Sequence, residues 1–163
     1  IMDYKGKVDM SEKLLAQMDV VVASLHTPCI RPGTKAENTE ALVGAMKNPY
    51  VNIIGHPDDG RYPVDYEILV QAAKEQHVLL ELNNTSLHPK GSRKDPEPKD
   101  REMLRLCMDY QVPVIVNSDA HSVFDVGAHE YAQALLEDMK FPEYLIVNRS
   151  VEEYKKYINR KCD

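Results

Sequence analysis

Short apolar runs alternate with longer amphipathic segments along this chain, and that rhythm restricts its fold more than any other feature. The runs are rich in Val, Ile and Leu and contain few polar residues. Such runs are typical of strands that are buried on both faces of a parallel sheet. They predict strands at residues 20–25, 51–54, 78–82, 113–116 and 144–147.

The segments between these runs have apolar residues at helical spacing, as in Ile68 with Ala72 and Leu69 with Ala73. Asp125 is a candidate N-cap for the helix that follows it, because its side chain can accept from free backbone N–H groups. Helices are predicted at residues 34–46, 64–76, 98–110, 126–139 and 150–159. Strands and helices that alternate in this way predict right-handed βαβ units and an α/β fold.

One long polar stretch, residues 83–97, interrupts the alternation between a predicted strand and its helix. Irregular connections of this length are usually functional or disordered. We interpret the stretch as a βα loop inside one domain, because 163 residues, 43% of them hydrophobic, are typical of a single domain.

Charge, hydropathy and cysteine content narrow the classes of function. The formal net charge of -6 disfavours general binding to nucleic acid or to an anionic membrane. No apolar run approaches the ~18 residues of a membrane span, and the first residues lack the apolar core of a signal peptide. Cys29, Cys107 and Cys162 are widely spaced and odd in number, which fits a reducing compartment. These features predict a soluble cytoplasmic protein.

Histidine and aspartate residues follow three of the predicted strands. His26 and His56 come directly after the first two, and Asp119 with His121 comes after the strand near residue 116. Residues at the carboxyl ends of parallel strands converge on one site. Imidazole and carboxylate groups suit Zn²⁺, Mn²⁺ or Fe, and the absence of cysteine there favours an open catalytic site. A single histidine in such a place is more often structural, but four residues at equivalent places favour a shared metal site.

The remaining histidines and acids have simpler interpretations. His77 lies at a helix end on the opposite side of such a fold, His129 lies within a predicted helix, and His88 is best explained as a surface residue of the long loop. Asp58 and Asp59 precede Gly60 and are interpreted as turn residues. Glu81 alternates with leucines in a strand, and we expect its carboxylate to support the site.

Basic residues lie in the same loops as the candidate ligands, where an acidic protein would need them to bind phosphate. Arginine is well suited to bidentate contacts with phosphate oxygens. The alternative is that these loop cations are merely solvated. The candidates for binding a substrate are Arg31, Arg61 and Arg93, with Lys35, Lys90 and Lys94 as weaker ones.

Four short motifs, LHTP (25–28), GHPD (55–58), LELNN (80–84) and NSDAH (117–121), resemble motifs of the polymerase and histidinol phosphatase (PHP) superfamily. The resemblance covers essentially the whole chain and is strongest to small bacterial phosphoesterases. It implies a distorted TIM-like barrel of seven βα units, a trinuclear metal site and hydrolysis of phosphate esters of small molecules by a metal-activated hydroxide. It also implies that His26 and His56 bind one metal, Asp119 a second and His121 a third.

The sequence departs from the PHP pattern because it has no HxH motif on a first strand and begins with Ile1. We therefore expect the chain to be the C-terminal part of a PHP domain truncated upstream, with an incomplete site in which metals are partly bound or absent. Open strand edges then predict self-association. A non-catalytic PHP-like interaction or regulatory module is the alternative, although the four retained ligands weigh against it. The missing HxH also disfavours a related amidohydrolase.

Overall fold

The computed structural model describes residues 1–158, and its centre is a parallel sheet of four strands in the order β1-β2-β3-β4. Strand β1 pairs with β2, β2 with β3 and β3 with β4, all in parallel. The strands are β1 (Val22–Ala23), β2 (Ile53–Ile54), β3 (Leu79–Asn83) and β4 (Val114–Asn117). The predicted α/β class and parallel sheet are thus confirmed, while the seven-stranded barrel remains a prediction.

Helices separate the strands as predicted, with some changes in their bounds. Helix α2 begins after Thr34, whose hydroxyl accepts from the backbone N–H of Glu37, while the Glu37 carboxylate accepts from the N–H of Thr34. This reciprocal capping box fixes the start of the helix. The helices are α1 (Glu12–Leu15), α2 (Lys35–Met46), α3 (Tyr66–Gln76), α4 (Pro96–Tyr110), α5 (Glu130–Asp138) and α6 (Val151–Ile158).

The strand predicted at residues 144–147 is wrong. Two short 3₁₀ turns, Glu143–Leu145 and Val147–Arg149, occupy this segment, and only Ile146 forms an isolated parallel bridge, to Val114. The Asn148 side chain explains the difference: its Oδ1 accepts from the N–H of Val116 at 3.2 Å, and its Nδ2 donates to the carbonyl of Val116 at 2.6 Å. A side-chain amide therefore satisfies the strand edge that a fifth strand would have paired.

The helix predicted to begin at residue 126 begins four residues later, so Asp125 is not its N-cap. Asp125 instead accepts a hydrogen bond from the Ser122 hydroxyl at 2.7 Å and closes a local turn. Gly127 then adopts a φ of 78°, a left-handed conformation that interrupts any helix. His129 consequently lies at the N-cap of α5 and not inside it. Asn159, the predicted end of α6, and Cys162 lie outside the described residues.

The two faces of the sheet differ in what covers them. Leu80, Leu82 and Val116 belong to the main core, together with residues of helices α2, α3 and α4. On the other face, Leu79 and Ile115 form a small cluster with Tyr154 and Tyr157 of α6. Since side chains alternate along a strand, the next residues on that second face, towards the carboxyl ends, are polar: Glu81, Asn83 and Asn117.

No helix among residues 1–158 is both long and apolar enough to cross a membrane.

Candidate active site

Two histidines face each other at the carboxyl ends of β1 and β2. The Nε2 atoms of His26 and His56 are 3.0 Å apart, and their rings meet edge to face with centroids 4.6 Å apart. Burial is the main cause that lowers the pKa of both imidazoles, and the positive charge of Arg93 adds to it. The pKa of His56 falls to about 3. Both rings are therefore neutral near pH 7, the form in which histidine binds metal ions.

The backbone at His56 is held in an unusual conformation. His56 has a φ of 34°, in the left-handed region that residues other than glycine rarely adopt. Its N–H donates to Oε2 of Glu81 at 2.7 Å, on the neighbouring strand. Strained backbone of this kind is concentrated at functional sites, where the surrounding structure holds it in place.

Asp119, after β4, is a second strained residue, with a φ of 49°. Its Oδ2 accepts from Nδ2 of Asn83 at 3.0 Å and lies 3.3 Å from Nη2 of Arg93. Partial burial alone would raise the pKa of this carboxyl, but the Asn83 hydrogen bond and the Arg93 charge lower it overall. Asp119 is thus an anion near neutral pH. His121 is exposed, and its Nδ1 lies 2.8 Å from the carbonyl oxygen of Asp119.

A cleft of about 320 Å³ brings the four candidate ligands together. Two of the three candidate arginines, Arg61 and Arg93, also line it, whereas Arg31 does not. The full lining is His26, Thr27, Pro28, His56, Asp59, Arg61, Thr85, Ser92, Arg93, Asp119 and His121.

The two arginines of the cleft differ in the acidic residue that each contacts. The Nε of Arg61 donates to both oxygens of Asp59 at 2.9 Å, so this acid, which was interpreted as a turn residue, also fixes the guanidinium. Asp59 does close a turn as well, because its carbonyl accepts from the N–H of Tyr62. The side chain of Arg93 is only 9% exposed and faces Asp119. Lys35 instead pairs with Asp65, on the helices outside the cleft.

The other histidines lie away from the cleft lining. His77 stacks on Tyr157 with ring centroids 4.2 Å apart and helps to hold α6 on the sheet. His88 contacts the ring of Tyr131, and its Nδ1 accepts from the N–H of Lys90. The Nδ1 of His129 is buried and has no hydrogen-bond partner among the described residues.

Three polar side chains that organise this site, Asn83, Asn117 and Thr85, were not predicted from the sequence. Nδ2 of Asn117 donates to Glu81 at 2.7 Å, and the hydroxyl of Thr85 donates to the carbonyl of Ser118 at 2.7 Å. The signal was present in the spacing: Glu81 and Asn83 are two residues apart on β3, and Asn83 pairs in register with Asn117 on β4. Residues with these relations must share one face at the carboxyl edge of the sheet.

The imidazole nitrogens and carboxylate oxygens of this site are of the types that bind divalent metal ions. Two nitrogens bound to one tetrahedral zinc ion at about 2.05 Å would lie roughly 3.3 Å apart, close to the separation of the two histidine Nε2 atoms. Within residues 1–158, however, no group of three or more His, Cys, Asp or Glu side chains is arranged to hold an ion. The described residues therefore offer a pair of imidazoles with a nearby carboxylate, short of a full coordination shell.

Comparison with known proteins gives these residues a context. The chain is similar to bacterial proteins named as probable phosphatases. It is 40% identical over 161 residues to one from Clostridium novyi, 44% identical over 162 residues to one from Caldanaerobacter subterraneus subsp. tengcongensis, and 42% identical over 161 residues to one from Acetivibrio thermocellus. Each alignment covers 99% of this chain.

The chain spans 65%, 63% and 66% of the lengths of these three relatives, respectively. No family model matches it.

Proposed function

We propose that this chain is the larger part of a metal-dependent phosphatase of the PHP type, which hydrolyses phosphate esters of small molecules. The names of the relatives support a phosphatase, and the carboxyl-end cleft supports the dependence on metal. The observation that carries the proposal is the pair of neutral imidazoles whose Nε2 atoms face each other across 3.0 Å. In the intact protein, the sheet would continue into a seven-stranded barrel.

In this proposal, His26, His56, Asp119 and His121 hold the metal ions, which are Zn, Mn or Fe. When bound, the ions would lower the pKa of a coordinated water and neutralise charge on the phosphoryl oxygens. The two histidines offer lone pairs because they are neutral, and Asp119 offers a carboxylate because its pKa is lowered. A protein nucleophile such as serine or cysteine is not required.

The arginines of the cleft orient the substrate. Arg61 is anchored by Asp59 and is 40% exposed, so its outer face remains open to a phosphate oxygen. Arg93 is buried beside Asp119, where its charge balances the carboxylate and can stabilise a phosphoryl group. Positively charged side chains at one wall of the cleft would thus attract a phosphate dianion to an otherwise acidic protein.

The test is hydrolysis of p-nitrophenyl phosphate by this chain and, as a full-length comparison, by the Clostridium novyi relative. In the relative, we expect a chelator to abolish hydrolysis and Zn²⁺ or Mn²⁺ to restore it, and we expect this chain, with its incomplete site, to be less active. Replacement of the relative's residue aligned with His56 by alanine should lower kcat at least about 100-fold, because loss of a group that only supports a metal ligand already costs about 10- to 100-fold. Hydrolysis by a metal-free protein would contradict the proposal.

A further inference from the structure

The carboxylate of Glu81 lies at the centre of the hydrogen bonds that hold two of the proposed ligands. Its Oε2 accepts from the backbone N–H of His56 at 2.7 Å and from Nδ2 of Asn83 at 3.1 Å. Its Oε1 accepts from Nδ2 of Asn117 at 2.7 Å. Glu81 is 6% exposed, so bulk solvent does not replace these donors. All three donors are N–H groups, and a carboxylate oxygen can accept a hydrogen bond from each of them.

The first of these hydrogen bonds, from the His56 N–H to Glu81, holds the backbone of His56. The left-handed backbone at His56 turns its N–H towards the sheet, where a buried donor needs an acceptor. Gly55 permits the close approach: a Cβ there would lie 2.9 Å from Cγ1 of Val22 and 3.5 Å from Oε2 of Glu81. The Glu81 hydrogen bond therefore fixes the backbone from which the His56 ring reaches His26.

A second connection runs from Glu81 to Asp119 through the side chain of Asn83. The Nδ2 of Asn83 donates to both Glu81 and Asp119, while its Oδ1 accepts from the N–H of Ser86 at 2.9 Å. The Ser86 contact fixes the orientation of the amide, so its two N–H bonds point at the two carboxylates. The strained residues His56 and Asp119, from two different loops, are thus joined through two buried side chains, Glu81 and Asn83.

We propose that Glu81 is a positioning residue that sets the distance between the His26–His56 pair and the Asp119 carboxylate. It acts on the proposed ligands through the backbone of His56 and through Asn83, and does not bind the ion itself, because it does not line the cleft and its oxygens accept from protein donors. The inference rests on the proposed function only for what the positioned groups bind. The arrangement of the groups can be tested without any metal.

The experiment is NMR on the metal-free chain with uniform ¹⁵N and ¹³C labelling, comparing Glu81→Ala, Glu81→Gln and Asn83→Ala. The wild-type chain should show a nuclear Overhauser contact between the His26 and His56 rings and slow exchange of the His56 amide. Glu81→Ala should lose both. Glu81→Gln should keep the ring contact, because its remaining carbonyl oxygen can still accept from His56 while Asn117 turns its own oxygen towards the new amide.

Asn83→Ala tests the connection to Asp119 separately from the hydrogen bond to His56. It should shift the Asp119 signals and leave the His26–His56 contact intact, which general damage to the fold would not do. Glu67→Ala is the matched control, since Glu67 is an exposed glutamate in the first turn of helix α3 that accepts from the Tyr110 hydroxyl at 2.6 Å and does not line the cleft. It should change neither readout. If Glu81→Ala does not fold, Glu81→Gln and Asn83→Ala still decide the matter.

The inference is overturned if the ring contact and the slow amide persist in Glu81→Ala, or if Asn83→Ala leaves Asp119 unchanged. A parallel zinc titration distinguishes it from the proposed function. We expect Glu81→Ala to weaken zinc binding by about 10- to 100-fold relative to wild type. A wild-type chain that binds no zinc would contradict the proposed function, while the NMR result would still judge the role of Glu81.

Discussion

Asp100 on helix α4 is fully buried, and neither of its carboxylate oxygens has a hydrogen-bond partner among the described residues. Burial, followed by the negative charges of Asp58 and Glu81, raises the pKa of this carboxyl well above its ordinary value of 3.8. An acid whose pKa is higher in the folded state stabilises the fold only at low pH. Its contribution is lost as the pH rises through the folded-state pKa, where the buried group would have to ionise.

We therefore expect Asp100→Asn to raise the free energy of unfolding by about 1–3 kcal/mol at about pH 8, since the amide cannot ionise. The gain should vanish below about pH 4, where aspartate is protonated in both states. Urea unfolding across this range measures the effect. Asp109→Asn, an exposed site on the same helix, should stay within about 0.5 kcal/mol at every pH. A gain independent of pH would show that ionisation of Asp100 is not the cause.

The histidines and Asp119 could be predicted to converge because their places at strand ends are readable from the chain. The hydrogen bonds among them could not, because they depend on φ values of 34° at His56 and 49° at Asp119, and the sequence does not specify which residues adopt this uncommon conformation. Arg31 shows that a residue in the same loop as a site residue need not line the cleft. It follows His26 in the same loop, but the Tyr4 hydroxyl binds its carbonyl at 3.0 Å in a part of that loop outside the cleft lining.

The start of helix α2 depends on the capping box of Thr34 and Glu37. We expect Thr34→Ala to lower the free energy of unfolding by about 1 kcal/mol, because one backbone N–H of the first turn loses its acceptor. Thr34→Ser retains the hydroxyl and should cost only a few tenths of that, about 0.3 kcal/mol. Urea unfolding of the two variants checks this. Equal losses would indicate that the threonine methyl group, not the cap, stabilises the helix.

The elements that were predicted correctly are those with a strong local signal, such as α3, whose N-cap Asp65 accepts from the N–H of Ile68. The segment around residue 146 has the composition of a strand, yet Asn148 takes over the hydrogen bonds of β4. That outcome depends on a side chain two residues away and on a partner more than 30 residues earlier in the chain. Local apolar content carries no information about either.

Within the part of the chain that the structure describes, strand β1 is an edge strand of the sheet. Within residues 1–158, β1 pairs with β2 alone, and Val22 on this edge is 50% exposed. Met10, Leu14 and Met18 are also partly exposed, and Met10 and Met18 line a groove of about 300 Å³ beside the strand. Exposed strand edges with apolar neighbours favour pairing with another chain.

We propose that the isolated chain self-associates through this edge. Light scattering at micromolar concentration should give a mass above that of the monomer. Val22→Lys should reduce the association, because a charge on an edge strand opposes pairing. Ile68→Lys, a similarly exposed residue on helix α3, is the control and should leave the mass unchanged. A monomeric wild-type chain would contradict the proposal.

We expect the facing imidazoles of His26 and His56 to bind a divalent metal ion, and isothermal titration of Zn²⁺ into the metal-free chain tests this binding. Saturable binding should weaken at least about 10-fold in both His26→Ala and His56→Ala and stay unchanged in His88→Ala, a histidine away from the cleft. Equal affinity in all four proteins, or no binding to the wild-type chain, would contradict it.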